Sequence, residues 1–206
     1  DPRDYLEATR GGLSNLPALT DAASGIGSFS FPPARDNIIR TLPLAAVAAG
    51  QVYPGLGVEA LRVAQGASGL TLRSSDASGE VGAGPVAMTS VRVGVLELPV
   101  MADGRFRVHF SGMPHMTVIP AWQLLQDDGA ALADKVEGRI VLIGTSAIGL
   151  RDIVATPRVA GEPGVNVHAE LIDQALNQQF LQRPDWARGA EVLAAVVATL
   201  LLLAVL

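Results

Sequence analysis

Gly138–Asp152 reads GRIVLIGTSAIGLRD: four branched apolar residues run into a glycine, and two hydroxyl residues, a second glycine, an arginine and an aspartate follow. Residues 138–144 are apolar on both faces, and this pattern predicts a buried central strand. A strand that ends in a loop of small and hydroxyl residues is typical of phosphate-binding and nucleophile-bearing sites. The stretch therefore predicts the centre of an α/β fold and a candidate functional loop.

The loop departs from the two best-known catalytic and binding patterns. A phosphate loop requires a lysine directly after its second glycine, but Leu150 follows Gly149. A nucleophile elbow places the second glycine two residues after the serine, whereas Gly149 lies three residues after Ser146. A hydrolase triad of Ser146, His168 and Asp152 stays open, because the sequence gives no distances. We favour a tight turn in which Asp152 accepts backbone N–H bonds.

Helical and strand patterns both occur around this stretch. The clearest helix covers residues 166–181, with Asn166 as a suitable N-cap and apolar residues on one stripe. Residues 90–100 and 104–112 alternate in polarity and predict a hairpin joined by an Asp-Gly turn. Together the patterns predict a mixed α/β fold, mainly a central β-sheet with flanking helices.

The C-terminal residues 192–206, VLAAVVATLLLLAVL, carry no charge and present no polar face. A membrane-spanning helix needs roughly 20 such residues, and a buried helix about 10–14. We expect the start of a transmembrane helix, with a buried C-terminal helix as the alternative. The first residues do not resemble a signal peptide, so we expect a fragment of a larger membrane protein. Its parts would be an extracytoplasmic domain over residues 1–189 and a truncated transmembrane helix over residues 190–206.

The composition argues against several functions. The net charge is −5, with acidic and basic residues interspersed, and aromatic residues make up only 4%, which is unlike a nucleic-acid-binding surface. The absence of cysteine removes disulfides, thiolate catalysis and cysteine metal sites. Glu170 lies two residues after His168 and so on another face of the helix. We therefore expect no metal, no cofactor, no nucleic-acid partner and no catalytic residue in this region.

The C-terminal third resembles the CHASE2 domain family. The features that carry the resemblance are an apolar strand ending in VLIG, a small-residue turn, an aspartate, a Thr-Pro pair, and a Pro-Gly-Val that leads to a His-Ala helix. They stand here as Val141–Gly144, Thr145–Ala147, Asp152, Thr156-Pro157, Pro163–Val165 and His168-Ala169.

An earlier segment, GIGSFSFPPARDNIIRTLPL (25–44), resembles a second part of the family's pattern. The matching residues are Asp36, Arg40, Pro43 and Leu44. Asn37 stands where the family usually has glycine, and Thr41 where it has a second arginine. The family's N-terminal part is absent from the sequence, so the resemblance implies a domain that lacks part of its sheet.

The resemblance implies an extracytoplasmic, periplasmic sensor domain of a bacterial transmembrane receptor in the cell membrane. It implies a cytoplasmic output domain, for which we expect an adenylate or guanylate cyclase. A histidine kinase, a diguanylate cyclase and a serine/threonine kinase are the alternatives. The partners would be the membrane, through the C-terminal helix, a second copy in a homodimer, and a small-molecule or periplasmic ligand.

The end of the apolar strand is the first place to look for that ligand. The candidate ligand-binding residues are Thr145, Ser146, Arg151, Asp152 and His168. Two alternatives from other classes of protein stay open, a membrane-anchored hydrolase and a purely structural dimerisation module. A ligand-sized pocket with convergent polar groups would favour sensing over dimerisation.

Overall fold

The structure is a computed structural model that describes residues 2–9, 11–31, 35–75, 87–112, 115–125, 132–150, 152–182 and 186–205. In chain order its elements are β1 (Glu7–Thr9), α1 (Pro17–Ala22), β2 (Thr41–Pro43), β3 (Ala45–Ala48), β4 (Gln51–Pro54), α2 (Leu56–Ala64), β5 (Leu70–Ser74), β6 (Met88–Val93), β7 (Leu96–Pro99), β8 (Arg105–Arg107), α3 (Ala121–Leu124), α4 (Ala133–Val136), β9 (Ile153–Val154), β10 (Glu162–Pro163), α5 (Gly164–Asn177) and α6 (Ala187–Val205). The fold is mixed α/β, which confirms the predicted class.

The strands form several small sheets instead of the single central sheet that the sequence predicts. Strands β5, β6 and β7 make an antiparallel meander, and β3 pairs with β4 on one side and with β1 on the other. Strands β2 and β8 form one antiparallel pair, and β9 and β10 form another. The prediction of a mainly central sheet is therefore wrong for the described residues.

The predicted central strand at residues 138–144 joins none of these sheets. Ile140 and Leu142 pack against the core, while Val141 is 51% exposed and Ile143 is 91% exposed. Residues 140–146 make no backbone hydrogen bond to any other described residue. The alternation of burial is that of a strand, but no described strand lies beside it to pair with its backbone. The prediction of a buried central strand is wrong.

This placement gives a direct test. Ile143→Ser is expected to change the free energy of unfolding by no more than about 0.5 kcal/mol, because the side chain is in water. Leu42→Ala, at a site that is 1% exposed, is expected to cost about 2–5 kcal/mol. Urea denaturation measures both. A cost for Ile143→Ser close to that of Leu42→Ala would mean that the segment is buried after all.

The predicted hairpin between residues 90–100 and 104–112 is rearranged. Gly94 adopts a φ of 56°, and the turn it forms divides the first segment into β6 and β7. Gly104, with a φ of 76°, forms the second predicted turn, but β8 after it pairs with β2 and not with β7. Glycine at positive φ makes the tight turn at residue 94 possible. Because of this turn, β7 pairs with β6, and the predicted pairing of β7 with β8 does not form.

One hydrophobic core joins α2, α5 and the strands β2, β6, β7 and β8. Its largest fully buried side chains are Phe106, Leu42, Leu44, Leu61, Leu98 and Leu171. The predicted helix 166–181 is confirmed as α5 with different bounds, because Gln178 adopts a left-handed φ of 55° and ends it. Pro163, and not Asn166, stands at the N-cap.

The C-terminal apolar run is helical, as α6. Its large apolar side chains are exposed, with Leu200 at 60% and Leu203 at 65%, so the alternative of a buried C-terminal helix is wrong. Among the residues that the structure describes, no helix combines the length and the apolar character that crossing a membrane requires.

Candidate functional site

The polar face of α5 holds the extended segment 109–112, and we call this contact the α5 clamp. Gln174, which is 1% exposed, accepts the backbone N–H of His109 with its Oε1 at 3.0 Å. Its Nε2 donates to the carbonyl of His109 at 3.1 Å and to that of Glu170 at 3.0 Å. The amide of Gln174 thus takes the place of a neighbouring strand for one residue.

Glu170 completes the α5 clamp one turn earlier. Its carboxylate is buried and accepts the Ser111 hydroxyl at 2.9 Å and the Gly112 N–H at 2.9 Å. The backbone N–H of Ser111 lies 3.3 Å away and donates to the same group. The sequence contains the signal, since residues 170 and 174 share a helix face, but it does not identify the segment that they bind.

Of the candidate ligand-binding residues in the loop before α5, Asp152 accepts a hydrogen bond from the helix, whereas Thr145 and Ser146 make none to it in the described part of the chain. The carbonyl of Asp152 accepts the N–H of Gly164 at 2.7 Å, and its Oδ1 would be 2.4 Å from a Cβ at Gly164. Asp152 therefore accepts a backbone N–H, but it does so with its main-chain carbonyl and from the first residue of α5, and not within a tight turn. Thr145 and Ser146 are exposed, and Arg151 lies outside the described residues.

His168 is buried against an aromatic side chain. Its ring stacks on that of Phe31 with centroids 5.2 Å apart, and its Nε2 lies 3.4 Å from the carbonyl oxygen of Phe29. His168 is therefore buried, with one hydrogen bond to the main chain of the described residues. Ser146 makes no hydrogen bond to His168 or Asp152 in the described part of the chain. The three side chains are therefore not assembled as a triad.

Burial lowers the pKa of His168. The hydrogen bond to Phe29 and the charge of Asp152 raise that pKa, but by less than burial lowers it. The unfolded chain, with a histidine pKa of about 6.5, then binds the proton more readily than the folded one. The contribution of neutral His168 to the free energy of unfolding is therefore complete above about pH 6.5. It is lost as the pH falls towards the lower pKa of the folded state. We expect the urea midpoint to decrease below about pH 6.5.

The variant His168→Phe is expected to flatten this part of the pH profile, because the titrating group is removed. His109→Gln is the matched control, since the ring of His109 is exposed. Urea midpoints from about pH 7.5 to about pH 5.5 measure both variants. Equal slopes for the two variants would contradict the assignment to His168.

Two residues of the family pattern form a surface pair. Arg40 donates to both carboxylate oxygens of Asp36, at 3.0 and 2.8 Å. This bond, with a smaller contribution from the N–H of Ile38, lowers the pKa of Asp36 to about 2. Asn37, which replaces the family's glycine, has a φ of 56°. Asparagine tolerates this conformation better than most residues, so the departure preserves the turn.

A cleft of about 400 Å³ lies between α2 and two extended segments, residues 24–27 and 139–140; we call it the α2 cleft. Leu56, Ala60, Val63 and Ala64 of α2 form one wall, and Ile140 lies among the other lining residues. Ala60 and Ala64 are one helical turn apart, and their small side chains leave the space open.

The backbone of residues 25–27 lies directly on α2. A Cβ at Gly27 would be 2.6 Å from the Cα of Leu56, which is closer than real Cβ atoms approach. Gly27→Ala is therefore expected to lower the free energy of unfolding by about 1–3 kcal/mol. Gly69→Ala is the control, because no atom lies within 4 Å of a Cβ there, and its cost should be near zero in the same thermal unfolding experiment. Equal effects would contradict the close approach.

Among the described residues, the charged side chains at the α2 cleft are a compensated pair, Glu59 and Arg62, and an arginine without an ion pair, Arg139. Glu59 is 7% exposed and accepts from Nε and Nη2 of Arg62 at 2.8 and 2.7 Å. Arg62 also donates to the carbonyl oxygens of Ser24 and Ala67. Arg139 has no ion pair and no side-chain hydrogen bond with any described residue. The sequence gives no signal for this site, since its lining residues come from three separate segments, and residues 24–27 and 139–140 are more than a hundred positions apart.

Comparison with known protein families matches residues 5–206 to the CHASE2 domain. No curated protein is significantly similar to the chain, and no solved structure matches it significantly. The match confirms the resemblance that the sequence predicts from residues 141–169 and 25–44.

Proposed function

The chain belongs to the CHASE2 family of extracytoplasmic sensor domains, and from this premise we propose that it is the signal-input domain of a bacterial transmembrane receptor. The output that we propose is a cytoplasmic adenylate or guanylate cyclase, as the resemblance implies. A histidine kinase, a diguanylate cyclase and a serine/threonine kinase are the alternative outputs. The α2 cleft, a largely open depression lined by apolar and charged residues, is the observation that favours sensing over a purely structural dimerisation role.

The observation that carries the mechanism is the path from α5 to α6. Helix α5 is fixed in the domain by buried Val167, Leu171 and Ala175 and by the α5 clamp. Beyond its end, the ring of Phe180 packs edge-on against that of Phe106 with centroids 6.0 Å apart. Helix α6 begins a few residues later. A rearrangement of the core around α5 would therefore move α6.

We further propose that α6 contacts membrane lipid and that the receptor works as a homodimer. Residues 192–204 are apolar or weakly polar and exposed, and their large side chains are not confined to one stripe. A soluble helix that packs on one side has a polar face, and α6 lacks one over this range. A lipid environment would remove this apolar surface from water.

The signal in this mechanism is a shift between two arrangements of the domain. A ligand moves that equilibrium only if it binds the two arrangements with different affinity. In this proposal the movement of α5 is transmitted along the intervening chain to α6. A stiff connection is required, because a flexible one would absorb the displacement.

Inserting six Gly/Ser residues after Gln182 in the full-length receptor tests the mechanism. We expect cyclic nucleotide production to continue but to lose its dependence on the stimulus, because the flexible insert uncouples α5 from α6. The matched control is the same insert after Gly12, an exposed position with no atom within 4 Å of a Cβ. Stimulus-dependent output that survives both inserts would reject the mechanism, and autophosphorylation in place of cyclase activity would favour the kinase alternatives.

A further inference from the structure

We propose that the α2 cleft binds a small organic anion with an apolar body, such as a short-chain carboxylate. The inference rests on the proposed sensory function and adds to it a site and a chemical class of ligand. A cleft of about 400 Å³ is in the lower part of the range that accommodates small molecules. It lies apart from the loop at residues 145–152 where the sequence places the ligand.

The walls of the α2 cleft select an apolar body. Leu56, Ala60, Val63 and Ala64 present aliphatic groups on one side, and Ile140 adds another. Val63 is 40% exposed, so a ligand that covers it removes apolar surface from water on both partners. A strongly hydrated ligand would gain nothing from these walls.

The polar groups of the α2 cleft select a negative charge. Arg139 is among the residues that line the cleft, and its side chain has no ion pair with any described residue. The backbone N–H groups of residues 25–27 donate to no described residue, and Gly25 and Gly27 are among the residues that line the α2 cleft. A guanidinium and free N–H groups are the donors that carboxylates accept from.

Glu59, the acidic side chain among the described residues that line the α2 cleft, does not compete with such a ligand. Both oxygens of Glu59 are bonded to Arg62, so its charge is compensated within the protein. An amine ligand would find no free carboxylate there and would meet the positive charge of Arg139. The α2 cleft therefore discriminates by charge between ligands of the same shape.

Three ligands with one shape test the proposal: hexanoate, hexylamine and 1-hexanol. Isothermal titration calorimetry on the full chain in lipid nanodiscs, with empty nanodiscs as the blank, measures their binding. We expect hexanoate to bind at least about tenfold more tightly than 1-hexanol, which corresponds to one charge-assisted bond. Hexylamine should show no saturable binding. Equal affinities for all three, or no binding of hexanoate, would overturn the proposal.

Two variants locate the site. Arg139→Gln should weaken hexanoate about tenfold or more, whereas Arg92→Gln, at an exposed arginine of β6 outside the α2 cleft, should not. Ala64→Leu fills the α2 cleft from an exposed helical position and should also abolish binding. Unchanged hexanoate affinity in both Arg139→Gln and Ala64→Leu would place the ligand elsewhere and reject the site.

The binding experiment and the linker experiment test different proposals, so a negative result in one does not decide the other. If hexanoate does not bind but the insert after Gln182 uncouples the output, the ligand site is wrong and the receptor mechanism stands. If hexanoate binds at the α2 cleft but the insert leaves the stimulus response intact, the site stands and the proposed mechanism is rejected.

Discussion

Replacing Gln174 with leucine is expected to lower the free energy of unfolding by about 2–4 kcal/mol, although leucine is the better residue for both a core and a helix. Gln174 is 1% exposed, and its amide binds both the N–H and the carbonyl of His109. Leucine would leave these two backbone groups without a partner at the contact with α5. Each buried backbone group without a hydrogen-bond partner lowers the free energy of unfolding by about 1–3 kcal/mol. This loss exceeds the stabilisation from burying the additional methyl group of leucine.

Gln179→Leu provides the control for the same chemical change. Gln179 is exposed and follows the end of α5, so its substitution should fall within about 0.5 kcal/mol of the wild type. Urea denaturation of both variants gives the comparison. A cost for Gln174→Leu no larger than that for Gln179→Leu would mean that the α5 clamp contributes nothing to stability.

The parts of the fold that the sequence predicts are those determined by neighbouring residues. The apolar stripe of α5 is local: Ile172 is buried and Phe180 packs on the core, although Leu176 of the same stripe is 57% exposed. The predicted end of α5 is wrong because Gln178 takes a left-handed conformation, which propensity does not forecast for glutamine.

The parts that the sequence does not predict depend on distant segments. Residues 140–144 have the period of a strand, yet pairing requires a partner that periodicity cannot supply. The α5 clamp joins residues 170 and 174 to residues 109–112, and the α2 cleft joins residues 24–27 to 139–140. Both sites are formed by residues that are far apart in the sequence, and for that reason sequence motifs do not predict them.

Phe106→Ala is expected to lower the free energy of unfolding by about 3–5 kcal/mol. Phe106 is 1% exposed, and its ring meets that of Phe180 edge-on at an interplanar angle of 88°. The substitution leaves a cavity in the core at β8 and removes the ring contact of Phe180. We therefore expect a loss of stability and, in the full receptor, a weaker dependence of the output on the stimulus. Phe29→Ala, at a site that is 67% exposed, should cost about 1 kcal/mol or less in the same denaturation experiment. Two equal costs would contradict the placement of Phe106 in the core, and an unaltered stimulus response in folded Phe106→Ala receptor would remove the Phe106–Phe180 contact from the path to α6.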